Sequence, residues 1–232
     1  MNFGSELIKG EIIRCYKNLI LDVKINSDEI VAAFCPELDA KQNLYKVGTI
    51  VWLLPINKTS NRLKYEAVMV QKDGALVMIS PNYAQILVKE AFEKGLLQEF
   101  SRYTKLRTIG TGENIKYANL EFSNENEELA YVYAVSIYNK QGANVVFPSF
   151  LNFFEMSMFG EFANLRKMGY DTYVLLIVPR MDCQDIKFSW TIEPAAAARI
   201  FDEAKNGLKF CGYGCTIDDK SINITQSMNI LY

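Results

Sequence analysis

Among 232 residues the chain has no histidine, and that absence sets the chemistry open to it. Ser-His-Asp and Cys-His catalysis, imidazole acid–base work and His-ligated metal sites are all excluded. Five cysteines remain: Cys15, Cys35, Cys183, Cys211 and Cys215. Only Cys211 and Cys215 stand close, and a lone CxxxC without histidine or a second pair is a poor metal signature. The thiols read as small hydrophobes in a reduced cytoplasm. Cations are better grouped. Arg14 and Lys17 flank the first strand turn, and NKTSNRLK at 57–64 gathers Lys58, Arg62 and Lys64 beside Tyr65. Such groups contact phosphates, bind with salt-sensitive affinity and read no sequence. Trp52, inside an apolar run, and Trp190 read as core or rim aromatics.

The elements that must carry these groups follow from composition and period. Half the residues are hydrophobic and 22% charged, which excludes disorder, and a net charge of −2 argues against a protein that coats nucleic acid. Residues 1–80 hold ten Lys/Arg against nine Asp/Glu, and the rest fifteen against eighteen. No secretory signal stands at 1–13 and the longest apolar stretch, near 173–178, is too short to span a bilayer; the expectation is a cytoplasmic protein with no membrane partner. Short β-prone runs at 12–15, 19–24, 30–35, 49–54, 65–70 and 76–79 suggest a small closed barrel, the last two joined by an Asp73-Gly74 turn. From residue 80 the period changes. Ser80-Pro81 opens a helix that Gly95 closes, and a second short helix is expected at 96–103. Strands are expected at 116–122 and 131–138, joined by a solvated acidic loop at 124–128. A helix at 150–168 is apolar on two faces, 172–178 reads as a strand covered on both sides, and Pro194 opens a helix to 205. Final strands are expected at 208–213 and 221–225. The fold class is α/β (α+β), with a β-barrel at 1–80 and an α/β domain at 81–232.

In their order and spacing, several segments resemble the sugar fermentation stimulation protein A family. They are GEIIRCYKNLILDV at 10–23, VAAFCP at 31–36, VGTIVWL, LVKEAFEKGLL, Phe147-Pro148, VLLIVPR and IEPAAAARIFDEAKNGLKFCGY. The resemblance implies an OB-like barrel followed by a restriction-endonuclease-like domain of the PD-(D/E)xK type, DNA binding, and nuclease chemistry in which two carboxylates hold Mg²⁺ and a lysine orients water.

Carried onto this chain residue by residue, the catalytic pattern is missing. The family's Arg-Ile-Asp-Phe corresponds to 116–119, with Ala118 at the Asp; Val-Glu-Val-Lys corresponds to 133–136, with Ala134 and Ser136 at the Glu and Lys. After Phe147-Pro148 a polar stretch is replaced by Phe and Met, and the loop after Cys35-Pro36 gains Glu37 and Asp39. Glu121 falls on the opposite strand face from Ala118, Asn119 does likewise, and Glu155 lacks a partner; all read as surface groups. The expectation is a pseudoenzyme with no metal, cofactor or catalytic residue. Its function is then sequence-nonspecific DNA or other nucleic-acid binding, with Arg14, Lys17, Lys58, Arg62 and Lys64 as candidates. Two alternatives stay open: an interaction subunit, pairing with a protein partner or a second copy through helix 150–168, and a residual metal-dependent nuclease.

Overall fold

The computed structural model describes residues 1–16, 19–27, 29–35, 44–56, 63–80, 83–110, 112–148, 153–190 and 194–232, without the side chains of 153–156. Five strands make up the N-terminal part: β1 (Ile8–Tyr16), β2 (Ile20–Lys24), β3 (Ile30–Phe34), β4 (Ile50–Pro55) and β5 (Tyr65–Lys72), of which β2 alternates buried and more exposed residues while β4 and β5 carry continuous buried runs. Ile12, Leu21, Val23, Ala33, Val51 and Leu53 are fully buried inside them. β1 pairs with β2 and β4, β2 with β3 and β4 with β5, all antiparallel; a short parallel pairing, Ala33↔Tyr65 and Phe34↔Glu66, joins β3 to β5 and closes the barrel. This is the strand order of an OB-type barrel. β6 (Ala75–Met78) folds back on β5 through Asp73 (φ 52°) and Gly74 (φ 84°), the two positive φ values of a type I′ hairpin.

β1 crosses close to β2. A Cβ on Gly10 would lie 2.5 Å from Val23 Cγ1 and 2.8 Å from the Lys24 carbonyl oxygen. Backbone cannot swing aside as a side chain can, so Gly10→Ala is expected to cost about 1–3 kcal/mol, measured by urea unfolding. A loss under about 0.5 kcal/mol would show that the strands part freely.

By contacts the chain divides into two units. One is Met1–Tyr83 with Pro179–Asp182 and Cys215–Asn223; the other is Ala84–Val178, Cys183–Gly214 and Ile224–Tyr232. The boundary read from sequence at residue 80 lies three residues before the first of these ends, and two later stretches return to the barrel unit. Pairing explains the return of 221–223: the Ile222 N–H donates to the Met1 carbonyl, the Met1 amine donates to the Ile222 carbonyl, and Asn2 bridges Ser221.

The second unit begins with α1 (Ala84–Glu93). The helix expected at 96–103 is only a 3₁₀ turn at Gln98–Phe100. Next come β7 (Lys105–Thr108), β8 (Leu120–Ser123), β9 (Leu129–Ser136), β10 (Lys140–Gln141), β11 (Asn144–Phe147), α2 (Phe153–Lys167) and β12 (Asp171–Val178). The chain continues through β13 (Ile186–Phe188), α3 (Pro194–Lys205), β14 (Lys209–Ile217), β15 (Ile222–Ser227) and β16 (Ile230–Leu231). A curled sheet has the order β15-β14-β12-β9-β8-β7, and a small one the order β10-β11-β13-β16. β12 lies parallel to both β9 and β14, and every residue of it after Asp171 is buried, as its continuous apolar run requires.

Cross-strand register sorts the side chains of the curled sheet into two faces. Tyr131, Val174, Leu176 and Val178 share a core with Met158, Phe159, Phe162 and Leu165 of α2. On the other face Phe122 stacks on Phe100 at 4.2 Å and meets Phe92 of α1 edge-on at 5.1 Å. Met158, Phe159, Phe162 and Leu165 of α2 are therefore taken up by the unit's own core, while Met168, just past the helix end, is 67% exposed. α2 and α3 each turn into the next strand within three residues. At the end of α2 the Tyr170 N–H donates to the Leu165 carbonyl across Gly169 (φ 91°), and at the end of α3 the Leu208 N–H donates to the Glu203 carbonyl across Gly207 (φ 92°). These are Schellman closures. They bring together Arg166 of α2, Glu203 and Arg199 of α3 and Thr172 of β12: Arg166 pairs with Glu203 and donates to Thr172 Oγ1 at 3.0 Å, and Arg199 reaches Glu203 at 2.6 Å.

Candidate functional site

Ala118, Ala134 and Ser136 lie where the β8–β9 hairpin opens. The antiparallel ladder runs Leu120↔Val132 and Glu121↔Tyr131, and gains one more bond from the Asn119 N–H to the Val132 carbonyl at 2.9 Å. Beyond it the Asn119 side chain takes over. Its Nδ2 donates to the Ala134 carbonyl and its Oδ1 accepts from the Ala134 N–H, each at 2.8 Å. A carboxamide offers the same donor and acceptor as a peptide unit, so it completes the ladder while the main chain departs. The departing Lys116 and Tyr117 N–H groups donate to Glu161 Oε2 and Oε1 of α2, both at 2.9 Å. For this reason the strand expected at 116–122 begins only at Leu120. Ala118 and Ala134 are each 4% exposed, and Ser136 is half-buried.

Carboxylates near this mouth are engaged by protein donors. Arg107 of β7 grips Glu121 through Nε and Nη2, both at 2.7 Å, and holds Glu113 through Nη1 at 2.9 Å. The Gly110 N–H, first, and the Arg107 guanidinium hold Glu113 below the usual carboxylate range, while the hydrogen bonds that Arg107 donates to Glu121 and Glu113 raise its own pKa further. Glu121 is 13% exposed at its side chain, so it is a gripped residue and not the solvated acid expected from sequence. Tyr131, its cross-strand neighbour, is pushed up to about 12 by burial and then by the Glu121 charge. Among the described residues no group of three or more Cys, Asp or Glu gathers as metal ligands.

Between residues 109–110 and 112–119 and the hairpin lies a cavity of about 430 Å³, with walls from Ile109, Ile115, Tyr117, Asn119 and Tyr133 and with Gln85 of α1 and Lys116 contributing polar groups.

On the barrel, Arg14 and Lys64 are exposed, and the other candidates, Lys17, Lys58 and Arg62, lie outside the described residues. Arg14 stacks over the Tyr16 ring at 5.1 Å and donates to the Tyr16 hydroxyl at 3.1 Å, which donates in turn to Asp22 at 2.8 Å. Register places Tyr16 opposite Ile20, and Ile20 opposite Phe34. These three make a row across β1, β2 and β3, exposed by 38%, 37% and 37%. Sequence reading passed over Tyr16 and Phe34; only Phe34, which precedes the buried Cys35, carried an alternation signal. Trp52 is buried under Lys9, and Trp190 is 44% exposed against Phe201. Four cysteines are buried and Cys15 is exposed. Burial raises the thiol of Cys35 to about 11 and that of Cys215 to about 12, so neither supplies thiolate near neutral pH.

Sequence comparison agrees with this architecture. The family model described as the sugar fermentation stimulation protein RE domain matches residues 82–221. A sugar fermentation stimulation protein homologue of Maricaulis maris is 28% identical, covering 99% of this chain and 98% of its own, and one of Geotalea uraniireducens is 27% identical, covering 99% of both. In fold the chain is similar to Pyrococcus furiosus SfsA, solved in complex with Ca²⁺, with a TM-score of 0.83 over the whole of both chains at 15% identity. Its matched domain and full-length relatives place the chain in the sugar fermentation stimulation protein family, to which it belongs.

Proposed function

We propose that this chain is a sequence-nonspecific nucleic-acid-binding protein that keeps the family fold without nuclease chemistry. The hairpin mouth carries the reading. Ca²⁺ takes about six to eight oxygen ligands and Mg²⁺ prefers a near-octahedral oxygen shell. The mouth supplies two alanines, a serine, and an asparagine whose Oδ1 already accepts the Ala134 N–H. Glu113, Glu121 and Glu161 are bound to Arg107 or to backbone N–H groups. These residues do not fit a hard divalent cation, and no lysine stands at Ser136 to orient water.

Binding is supported by the barrel row, in which Tyr16 and Phe34 offer ring faces and Arg14 a cation already held against one of them. Anisotropy of labelled DNA should show affinity that falls steeply with salt. Changing Arg14, Lys17, Arg62 and Lys64 together to Ala should reduce the salt slope by up to about 3, with similar loss on all sequences. Incubation of plasmid with Mg²⁺ or Mn²⁺ should leave it intact. Metal-dependent nicking would overturn the non-catalytic half of the proposal; absence of binding at about 50 mM salt would overturn the other half.

A further inference from the structure

We infer that the cavity at the β8–β9 mouth receives one unpaired purine base of a bound single strand, an inference that rests on the nucleic-acid-binding reading. About 430 Å³ lies within the range of small-ligand pockets, roughly 300–1,000 Å³. Its walls suit a flat, largely apolar guest: Tyr117 and Tyr133 bring aromatic rings, Ile109 and Ile115 aliphatic surface. An unstacked base gains about 1–3 kcal/mol on such a ring.

Polar groups at the cavity select the class further. Glu113, the carboxylate in its wall, is occupied by hydrogen bonds from Arg107 and the Gly110 N–H. Asn119 is occupied by the Ala134 backbone. Gln85 and Lys116 are left, and neither side chain makes a hydrogen bond or ion pair among the described residues. A glutamine amide matches the adjacent acceptor and donor on an adenine edge, and a lysine suits the phosphate that follows the base. The wall is also fixed in advance. Glu161 ties the Lys116 and Tyr117 backbone to α2, and the Arg107 fork ties Glu113 to the sheet, so a guest meets a formed pocket and little ordering cost.

The test uses the full chain and two end-labelled strands of abasic sugar-phosphate units, identical except that one carries a single adenine. Both present the same phosphates, so both should show the same salt slope, and the adenine should tighten binding about tenfold. Tyr133→Ala should abolish that gain and leave the abasic strand's affinity unchanged. Should this variant fail to fold, Gln85→Leu on the half-buried side of α1 should reduce the gain several-fold. Equal affinity for the two strands, with the salt slope intact, overturns the pocket and leaves the binding protein standing. A gain that survives both substitutions places the base elsewhere and overturns it too. Absence of binding by either strand removes the underlying reading and this inference with it.

Discussion

Arg166→Met is expected to lower the stability of the fold by about 3 kcal/mol, seen as a reduced urea midpoint at an unchanged slope. The side chains of Arg166 and Glu203 are 14% and 6% exposed, so solvent has little access to a member left without its partner. Removing one member of a buried pair costs about 3–5 kcal/mol, because the other is left as an uncompensated charge. Arg199 still reaches Glu203 at 2.6 Å and is half-exposed, which keeps the loss at the lower end. Replacing both members, Arg166→Met with Glu203→Leu, should recover most of it, since a well-packed apolar pair is often as stable as the ion pair it replaces. A single-variant loss below about 1 kcal/mol would mean that the pair is solvated and that the helices are held by Met158, Phe159 and Phe162 alone.

The second large effect is expected at Asn119. Asn119→Ala removes two hydrogen bonds of 2.8 Å and leaves the N–H and carbonyl of Ala134 without partners beside a residue 4% exposed. An unsatisfied buried polar group costs about 1–3 kcal/mol, so a loss of about 2–4 kcal/mol is anticipated. Amide exchange gives an independent readout: the Ala134 N–H should lose protection selectively while that of Val132 is retained. Asn119→Asp keeps an acceptor for the Ala134 N–H and loses the donor to its carbonyl, so it should be harmful as well. A neutral Asn119→Ala would show that the chain can restore the ladder with its own backbone.

What could be read in advance followed period and punctuation. The barrel was legible because its β-prone runs are short and closely spaced and Asp73-Gly74 marks a hairpin; α3 was legible because Pro194 and Gly207 bracket an amphipathic run. The strands β7, β10, β11, β13 and β16 were not, being two to four residues long, below the length at which alternation can be distinguished from chance. At the site Ala118, Ala134 and Ser136 stand out only against the catalytic pattern that the family resemblance implies. Arg107 and Glu161 were invisible. Glu161 acts on backbone N–H groups 44 and 45 residues earlier in the chain, and Arg107 reaches a glutamate 14 residues later. Asn119 was assigned to a solvent-facing position by strict alternation, but the strand ends there and the side chain turns into the plane of the sheet. No rule of spacing anticipates a side chain that replaces backbone.

That replacement also bears on the chain's history and its future. An asparagine that closes a sheet is no longer free to drift, and a carboxylate restored at Ala118 or Ala134 would enter a setting whose neighbours are now fitted to alanine and to the amide. Single reversions would each be harmful alone, and their benefit would appear only in combination, a sign-dependent coupling between adjacent sites. Under the proposed loss of metal chemistry, the hairpin mouth would act as a ratchet: small steps would lead away from that chemistry, and the way back would require several changes at once.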